Sequence, residues 1–102
     1  MTMTPIHTEH VKREQSLCLT HIAKRPDARR FRVIIKRNAY DHQSTAAVST
    51  WTPNGWTEVL RHENIATLRV AAFTYVTKDP TWVDAALADA EDLLRVADAV
   101  VL

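Results

Sequence analysis

The chain has 102 residues, of which 46% are apolar and 25% are charged, and its formal net charge is +1. This length and composition indicate one small globular domain and exclude a largely disordered chain. No apolar run approaches the roughly 18 residues that a membrane-spanning helix needs, and the N-terminal stretch lacks the apolar segment of a secretory signal. We therefore expect a cytoplasmic protein that does not bind a membrane.

Charge is distributed unevenly along the chain. Residues 1–40 carry nine Lys and Arg against three acids, whereas residues 79–102 carry one Arg against six acids. The cations are densest at 24–37, with seven in fourteen residues. Such segregation predicts either a basic surface for an anionic partner, or attraction between the two ends of the chain within or between molecules.

The N-terminal third contains a polar segment followed by a β-compatible one. Residues 1–15 lack a sustained hydrophobic period, which predicts a mobile N-terminal arm before a single α+β domain over 16–102. Residues 17–23 are rich in β-formers, and the segment ends near Pro26-Asp27, a turn signal.

The clearest strand pattern covers residues 30–37. Apolar and polar residues alternate there with the period of a half-buried strand. One face holds Phe31, Val33 and Ile35, and the other holds Arg30, Arg32, Ile34 and Lys36. A hairpin at 24–37 that is this basic could bind phosphates, so Arg30, Arg32, Lys36 and Arg37 are the candidate residues for binding nucleic acid.

The only glycine of the chain lies in the pair Asn54-Gly55, between β-compatible segments at 44–52 and 56–61. Asn-Gly tolerates positive φ at both corners of a type I′ turn, whose twist matches that of the strands it joins. The sequence therefore predicts a tight antiparallel hairpin.

The register of this hairpin depends on the length of its loop. A two-residue loop places Trp51 opposite Glu58, whereas a three-residue loop pairs Val48 with Leu60. Because a slip of one residue exchanges the two faces, the sequence leaves open which face of the 44–61 hairpin is buried.

Aromatic side chains beside this turn are candidates for binding a partner. Trp51 and Trp56 are large amphipathic anchors of the kind that form hot spots in protein interfaces, and Tyr40 offers a further aromatic surface. The alternative is that the two indoles pack in the core against Trp82.

The C-terminal segment has a strong helical pattern. Asp79 suits the N-cap, Pro80 suits the first helical position, and apolar residues then recur at helical spacing, which predicts an amphipathic helix over about 80–100. We expect its polar residues to point away from the apolar stripe: Asp84, Glu91, Asp92, Arg95 and Asp98. The preceding stretch, 63–77, mixes helical and β features, which favours a short turn of helix or a loop followed by an extended segment.

Together these elements predict an α+β fold, in which an antiparallel three- to four-stranded β-meander packs against one C-terminal α-helix. One helix covers only part of such a sheet. An edge strand could therefore be completed by a second copy, which would give a homodimer.

The chain lacks the common patterns of catalytic and cofactor sites. It has no G-x-S-x-G, no phosphate-binding glycine loop and no Cys-x-x-Cys. His7 and His10 do not have zincin spacing, and Cys18 is a single thiol between two leucines. We expect no enzyme, no metal site and no cofactor. The alternative is a very small enzyme with a deep pocket lined by Cys18, Asp41 or His42.

The runs FRVIIKRNAYDHQSTAAVSTWTPNGWTEV and YVTKDPTWVDAALADAEDLL, within residues 31–94, resemble small accessory proteins encoded by phages of actinobacteria. The resemblance implies a host-directed interaction protein in the bacterial cytoplasm, a cytotoxic growth inhibitor that binds an unknown host protein. It transfers no site residues. The leading hypothesis is a non-enzymatic protein that acts by protein–protein interaction, and the alternative is a nucleic-acid-binding protein.

Overall fold

The structure is a computed structural model that describes residues 3–13, 16–38, 43–63 and 81–100. The described residues form one antiparallel sheet, whose strands pair in chain order, and one helix. The elements are β1 (Thr4–Arg13), β2 (Ser16–Lys24), β3 (Arg30–Asn38), β4 (Gln43–Thr52), β5 (Gly55–Glu63) and α1 (Thr81–Val100). This arrangement confirms the predicted α+β meander with a C-terminal helix, with five strands in place of three or four.

The additional strand is β1, which lies where the sequence predicts a mobile arm. Thr4–Arg13 pairs with β2, with a bulge at Ile6. The predicted arm over 1–15 is therefore wrong for these residues. The error arises because β1 is an edge strand whose described side chains are largely exposed, so main-chain hydrogen bonds order it without an apolar alternation.

Helix α1 packs on one face of the sheet, called here the helix face. Strand β2 alternates half-buried and buried residues along its length, and α1 contacts β2, β3 and β4. The predicted inward residues of β3 and the apolar stripe of α1 meet in the core between the two layers. Its largest fully buried side chains are Phe31, Leu17, Leu19, Ile35, Val33 and Val48.

The opposite side of the sheet is called here the open face, because no described element packs against it. Strand alternation and register place Arg30, Arg32, Ile34 and Lys36 on this face, as predicted from the sequence. The other described side chains on it are Thr4, His7, Glu9, Val11, Ser16, Cys18, Thr20, Ile22, Lys24, Thr45, Ala47, Ser49, Trp51, Trp56, Glu58 and Arg61.

The β4–β5 turn differs from the predicted type I′ geometry. Pro53 and Asn54 form the corner, and positive φ occurs at Gly55 (97°) but not at Asn54. The fixed φ of proline suits the first central position of a type I turn, and a left-handed glycine after that turn is the usual companion. The Thr52 hydroxyl supports the turn by donating to the Gly55 carbonyl at 2.9 Å.

The register of the β4–β5 hairpin differs from those predicted for a two-residue loop and for a three-residue loop. Trp51 pairs with Trp56 rather than with Glu58, and a bulge at Val59 then brings Val48 opposite Leu60. The Val48–Leu60 pair predicted for a three-residue loop is therefore observed, but it forms because the bulge shifts the register and not because of the loop length. Because the bulge shifts the alternation of β5, Leu60 lies on the helix face while Trp56 lies on the open face.

Helix α1 confirms the helix predicted over about 80–100, while Asp79 and Pro80 lie outside the described residues, as does nearly all of 63–77. One expected solvent-facing acid is partly enclosed instead. Asp98 lies with an Oδ1 atom 3.3 Å from Nε of Arg25, and its side chain is 19% exposed. This ion pair joins the end of the helix to the β2–β3 turn.

Candidate binding surface

The most prominent feature of the open face is a pair of indoles. Trp51 and Trp56 are directly paired across β4 and β5, with ring centroids 5.3 Å apart and planes inclined at 73°. This edge-to-face geometry is favourable for aromatic pairs. Trp51 is 54% exposed, so a large apolar surface remains in contact with water although it is already held in one orientation.

The guanidinium group of Arg32, on β3, packs against this aromatic pair on the side toward the middle of the sheet. The guanidinium carbon of Arg32 lies 4.8 Å from the centroid of the Trp56 ring, within the range of a cation–π contact. Among the described residues, Arg32 forms no ion pair with a carboxylate, and its Nε atom is buried without a hydrogen-bond partner. Its charge is therefore oriented by the indole and is not neutralised there.

The structure brings together two of the three predicted partner-binding residues. Trp51 and Trp56 share the open face, whereas Tyr40 lies outside the described residues. The alternative of core packing against Trp82 does not occur, because Trp82 lies on the helix side of the sheet. There it is 4% exposed and makes an edge-on contact with the His10 ring, with centroids 5.7 Å apart.

The predicted nucleic-acid-binding residues divide between the two faces. Arg30, Arg32 and Lys36 lie on the open face, whereas Arg37 lies on the helix face and is 8% exposed. Arg37 donates to the hydroxyl of Ser44 at 3.4 Å. A change of face after Lys36 follows from strand alternation, so Arg37 belongs to the packed layer and not to the exposed basic surface.

The two sides of the molecule differ in charge. The described open face carries five cations and two acids, and one of those acids, Glu58, is paired with Arg61 at 2.8 Å. Helix α1 carries five acids and one Arg. Because the sheet separates these two sets, the charge asymmetry of the sequence becomes a basic open face opposite an acidic helix.

A cavity of about 350 Å³ lies on the helix side, beside β1. Its described walls come from the first two strands, from Met3 and from one stripe of α1: Met3, Pro5, His21, Ala23, Glu91, Leu94, Arg95 and Asp98. The cavity was not predicted, because its walls include the segment expected to be a mobile arm. No single motif marks the site, although Glu91, Leu94, Arg95 and Asp98 do have the spacing of one helical stripe.

His21 is the buried polar group of this cavity. It is 3% exposed, and its Nδ1 atom shares a hydrogen bond with the Thr8 hydroxyl at 2.7 Å. Burial lowers the pKa of His21 from its ordinary value, and the nearby carboxylate of Glu91 opposes this by favouring the protonated ring. Burial dominates, so the imidazole is neutral at neutral pH.

Other features bear on the class of protein. The described residues contain no group of three or more His, Cys, Asp or Glu placed to hold a metal ion. Cys18 is a free thiol on the open face, while Asp41 and His42 lie outside the described residues. Within the described part of the chain, no helix is long and apolar enough to cross a membrane. No protein family model, curated protein or solved structure matches this chain.

Proposed function

We propose that this chain is a non-enzymatic binding protein that contacts a protein partner through its open face. The observation that carries the proposal is the exposed Trp51–Trp56 pair with Arg32 stacked beside it. Trp and Arg are the residue types most enriched among interface hot spots, and here all three side chains are already oriented before any partner binds.

The surroundings of the indoles fit an interface better than an isolated patch. Thr45, Ala47 and Ser49 continue β4 from Trp51 with small side chains, so the indoles stand above the centre of the face. Charged side chains, including Arg30 and Lys36, lie on the neighbouring strand. An apolar anchor with charges around it is the usual composition of a protein interface, where the charges guide approach and the anchor holds the partner.

The phage-protein resemblance adds a target and an outcome to this proposal. On that basis the partner is a protein of an actinobacterial host, and binding inhibits growth. The two parts are separable, because growth inhibition requires binding but binding does not require growth inhibition. Induced expression in an actinobacterium, comparing the wild-type chain with the double variant Trp51→Ala and Trp56→Ala, tests the inhibitory part.

Affinity capture tests the binding part directly. The wild-type chain, the double variant and Val96→Ala are immobilised and exposed to nuclease-treated actinobacterial lysate, and bound proteins are quantified by mass spectrometry. Val96 is a suitable control because it is 48% exposed but lies on α1. We expect at least one protein to be captured by the wild type and the control, and to be depleted about tenfold or more by the double variant. Equal capture by all three folded proteins would contradict the proposal.

A second candidate function is the binding of single-stranded nucleic acid. It is favoured by the placement of Arg30, Arg32 and Lys36 on the same face as the two indoles, since cations and stacking aromatics together are used by such proteins. Fluorescence anisotropy with a labelled oligonucleotide tests it at several salt concentrations. Binding should weaken steeply with salt, with a slope that falls by about 0.7 for each of these cations removed. No binding at about 50 mM salt would exclude this candidate.

A second copy of the chain is also a candidate partner. Among the described strands, β1 and β5 form the two edges of the sheet, and each contains a bulge, at Ile6 and Val59 respectively. Bulges interrupt straight edge-to-edge pairing, so any dimer formed this way should use only a short part of an edge. Light scattering across a range of concentrations measures this association independently of the lysate experiment.

A further inference from the structure

We propose that the cavity beside β1 is a binding site for a small molecule that has an apolar body and a protonated amino group. The ammonium group would lie between the imidazole of His21 and the carboxylate of Glu91, and the apolar body would lie against Ala23 and Leu94. This site is on the helix side of the sheet and is independent of the binding function proposed for the open face.

The position of α1 creates the cavity. The helix packs over β2, β3 and β4, so the helix side of β1 is left partly uncovered. Met3 and Pro5 form one wall there, and a stripe of α1 that includes Leu94 forms the other. A volume of about 350 Å³ is at the small end of the range for ligand sites and suits a molecule of one ring with a short substituent.

His21 gives the site its polarity. Thr8 engages Nδ1, and the described structure contains no hydrogen-bond partner for Nε2. His21 lines the cavity and is 3% exposed, and its Nε2 atom is not fully enclosed, so a ligand in the cavity can form a hydrogen bond with it. In the tautomer in which Nδ1 donates to the Thr8 hydroxyl, Nε2 is an acceptor and takes a donor from the ligand.

The charges of the cavity select a cation. Glu91 forms no ion pair among the described residues, whereas Arg95 is paired with Asp92 and Asp98 is paired with Arg25. The unpaired charge at the rim is therefore negative. A protonated amine pairs with Glu91 and, where Nδ1 carries the ring proton, also donates to Nε2, while a carboxylate would be repelled by Glu91.

NMR titration at neutral pH tests this assignment with three probes of the same size: benzylamine, benzyl alcohol and benzoate. We expect benzylamine to bind in the millimolar range, to shift the ring resonances of His21 and to shift the methyl resonances of Ala23 and Leu94. Binding of benzyl alcohol or benzoate as tightly as benzylamine would overturn the choice of a cation. Absence of any His21 shift with benzylamine at tens of millimolar would overturn the site itself.

A variant pair locates the ammonium group. Glu91→Gln should weaken benzylamine binding about three- to fivefold, in line with the loss of one exposed ion pair. Asp84→Asn removes an exposed acid from the first turn of the same helix, outside the cavity lining, and should leave the affinity unchanged. Both positions are exposed, so both variants should fold. An equal effect of the two substitutions would show a general charge effect and would contradict the proposed position.

Discussion

Trp51 and Trp56 meet edge to face, with centroids 5.3 Å apart, on the side of the sheet opposite the helix that carries Trp82. The three indoles therefore belong to two different environments. Trp51 and Trp56 are oriented by the hairpin and partly exposed, whereas Trp82 is a core side chain at 4% exposure. This division has consequences for stability that can be measured.

Replacing tryptophans on the two faces should have unequal costs. Trp51→Ala removes an exposed ring and one aromatic contact, so we expect the free energy of unfolding to fall by about 1 kcal/mol. Trp82→Ala leaves a cavity between helix and sheet, so we expect a loss of about 3–5 kcal/mol. Urea denaturation measures both values. Similar losses for the two variants would contradict the assignment of faces.

Gly55 and Ala28 both have positive φ, so exchanging glycine and alanine at these positions should change stability in opposite directions. Gly55 has φ of 97°, and a methyl group there would meet no atom within 4 Å apart from its chain neighbours, so Gly55→Ala should cost about 1–2 kcal/mol from backbone strain alone. Ala28 has φ of 72° in the β2–β3 turn, so Ala28→Gly should stabilise the fold by about 0.5–1 kcal/mol. Thermal or urea unfolding measures both effects, and the opposite sign at either position would refute its assigned conformation.

The buried imidazole of His21 should make stability depend on pH. Burial lowers its pKa in the folded protein, so below the ordinary pKa of about 6.5 the unfolded chain binds the proton more readily. The contribution of His21 is thus fully present above that value and is lost as the pH falls through it toward the lowered pKa of the folded protein. The slope from this one group is at most about 1.4 kcal/mol per pH unit.

Comparison with His21→Gln isolates this contribution, because the other histidines are present in both proteins. The wild type should lose more stability on acidification than the variant does. Glu91→Gln should steepen the loss, since the Glu91 carboxylate opposes the lowering of the pKa of His21. Parallel stability profiles for the wild type and His21→Gln would contradict burial as the dominant cause.

Hydrogen exchange distinguishes strand β1 from a mobile arm. In an antiparallel edge strand, alternate amides donate to the neighbouring strand and the others face solvent. We therefore expect protection of alternate amides in Thr4–Arg13, with an interruption near the bulge at Ile6. Exchange of every amide in this segment at the unprotected rate would show that β1 does not form.

The sequence predicts the elements whose two faces differ in polarity. The alternation of β3 separates Phe31, Val33 and Ile35 from the outward residues, and the period of α1 places Ala86, Ala90 and Leu94 inside. These patterns are local, and burial of one face is what produces them. Strand β1 has no such pattern, since its stability comes from pairing with β2 rather than from side-chain burial.

The candidate sites depend on relationships that are not local. The indole pair requires the register of the β4–β5 hairpin, which Pro53 and the bulge at Val59 determine together. The cavity requires β1 and the flank of α1, and these segments are far apart in the chain. Residue types alone could therefore identify Trp51 and Trp56 as candidates but could not place them on the open face.

Site-specific photo-crosslinking tests the open-face interaction most directly. A benzophenone amino acid is placed at Thr45 or at Ala47 on the open face, or at Val96 on the helix, and each protein is irradiated in actinobacterial cells. The proposed function predicts a covalent adduct with the same partner protein from Thr45 and Ala47, and no such adduct from Val96. An adduct formed only from Val96, or no protein adduct from either open-face position, would contradict it.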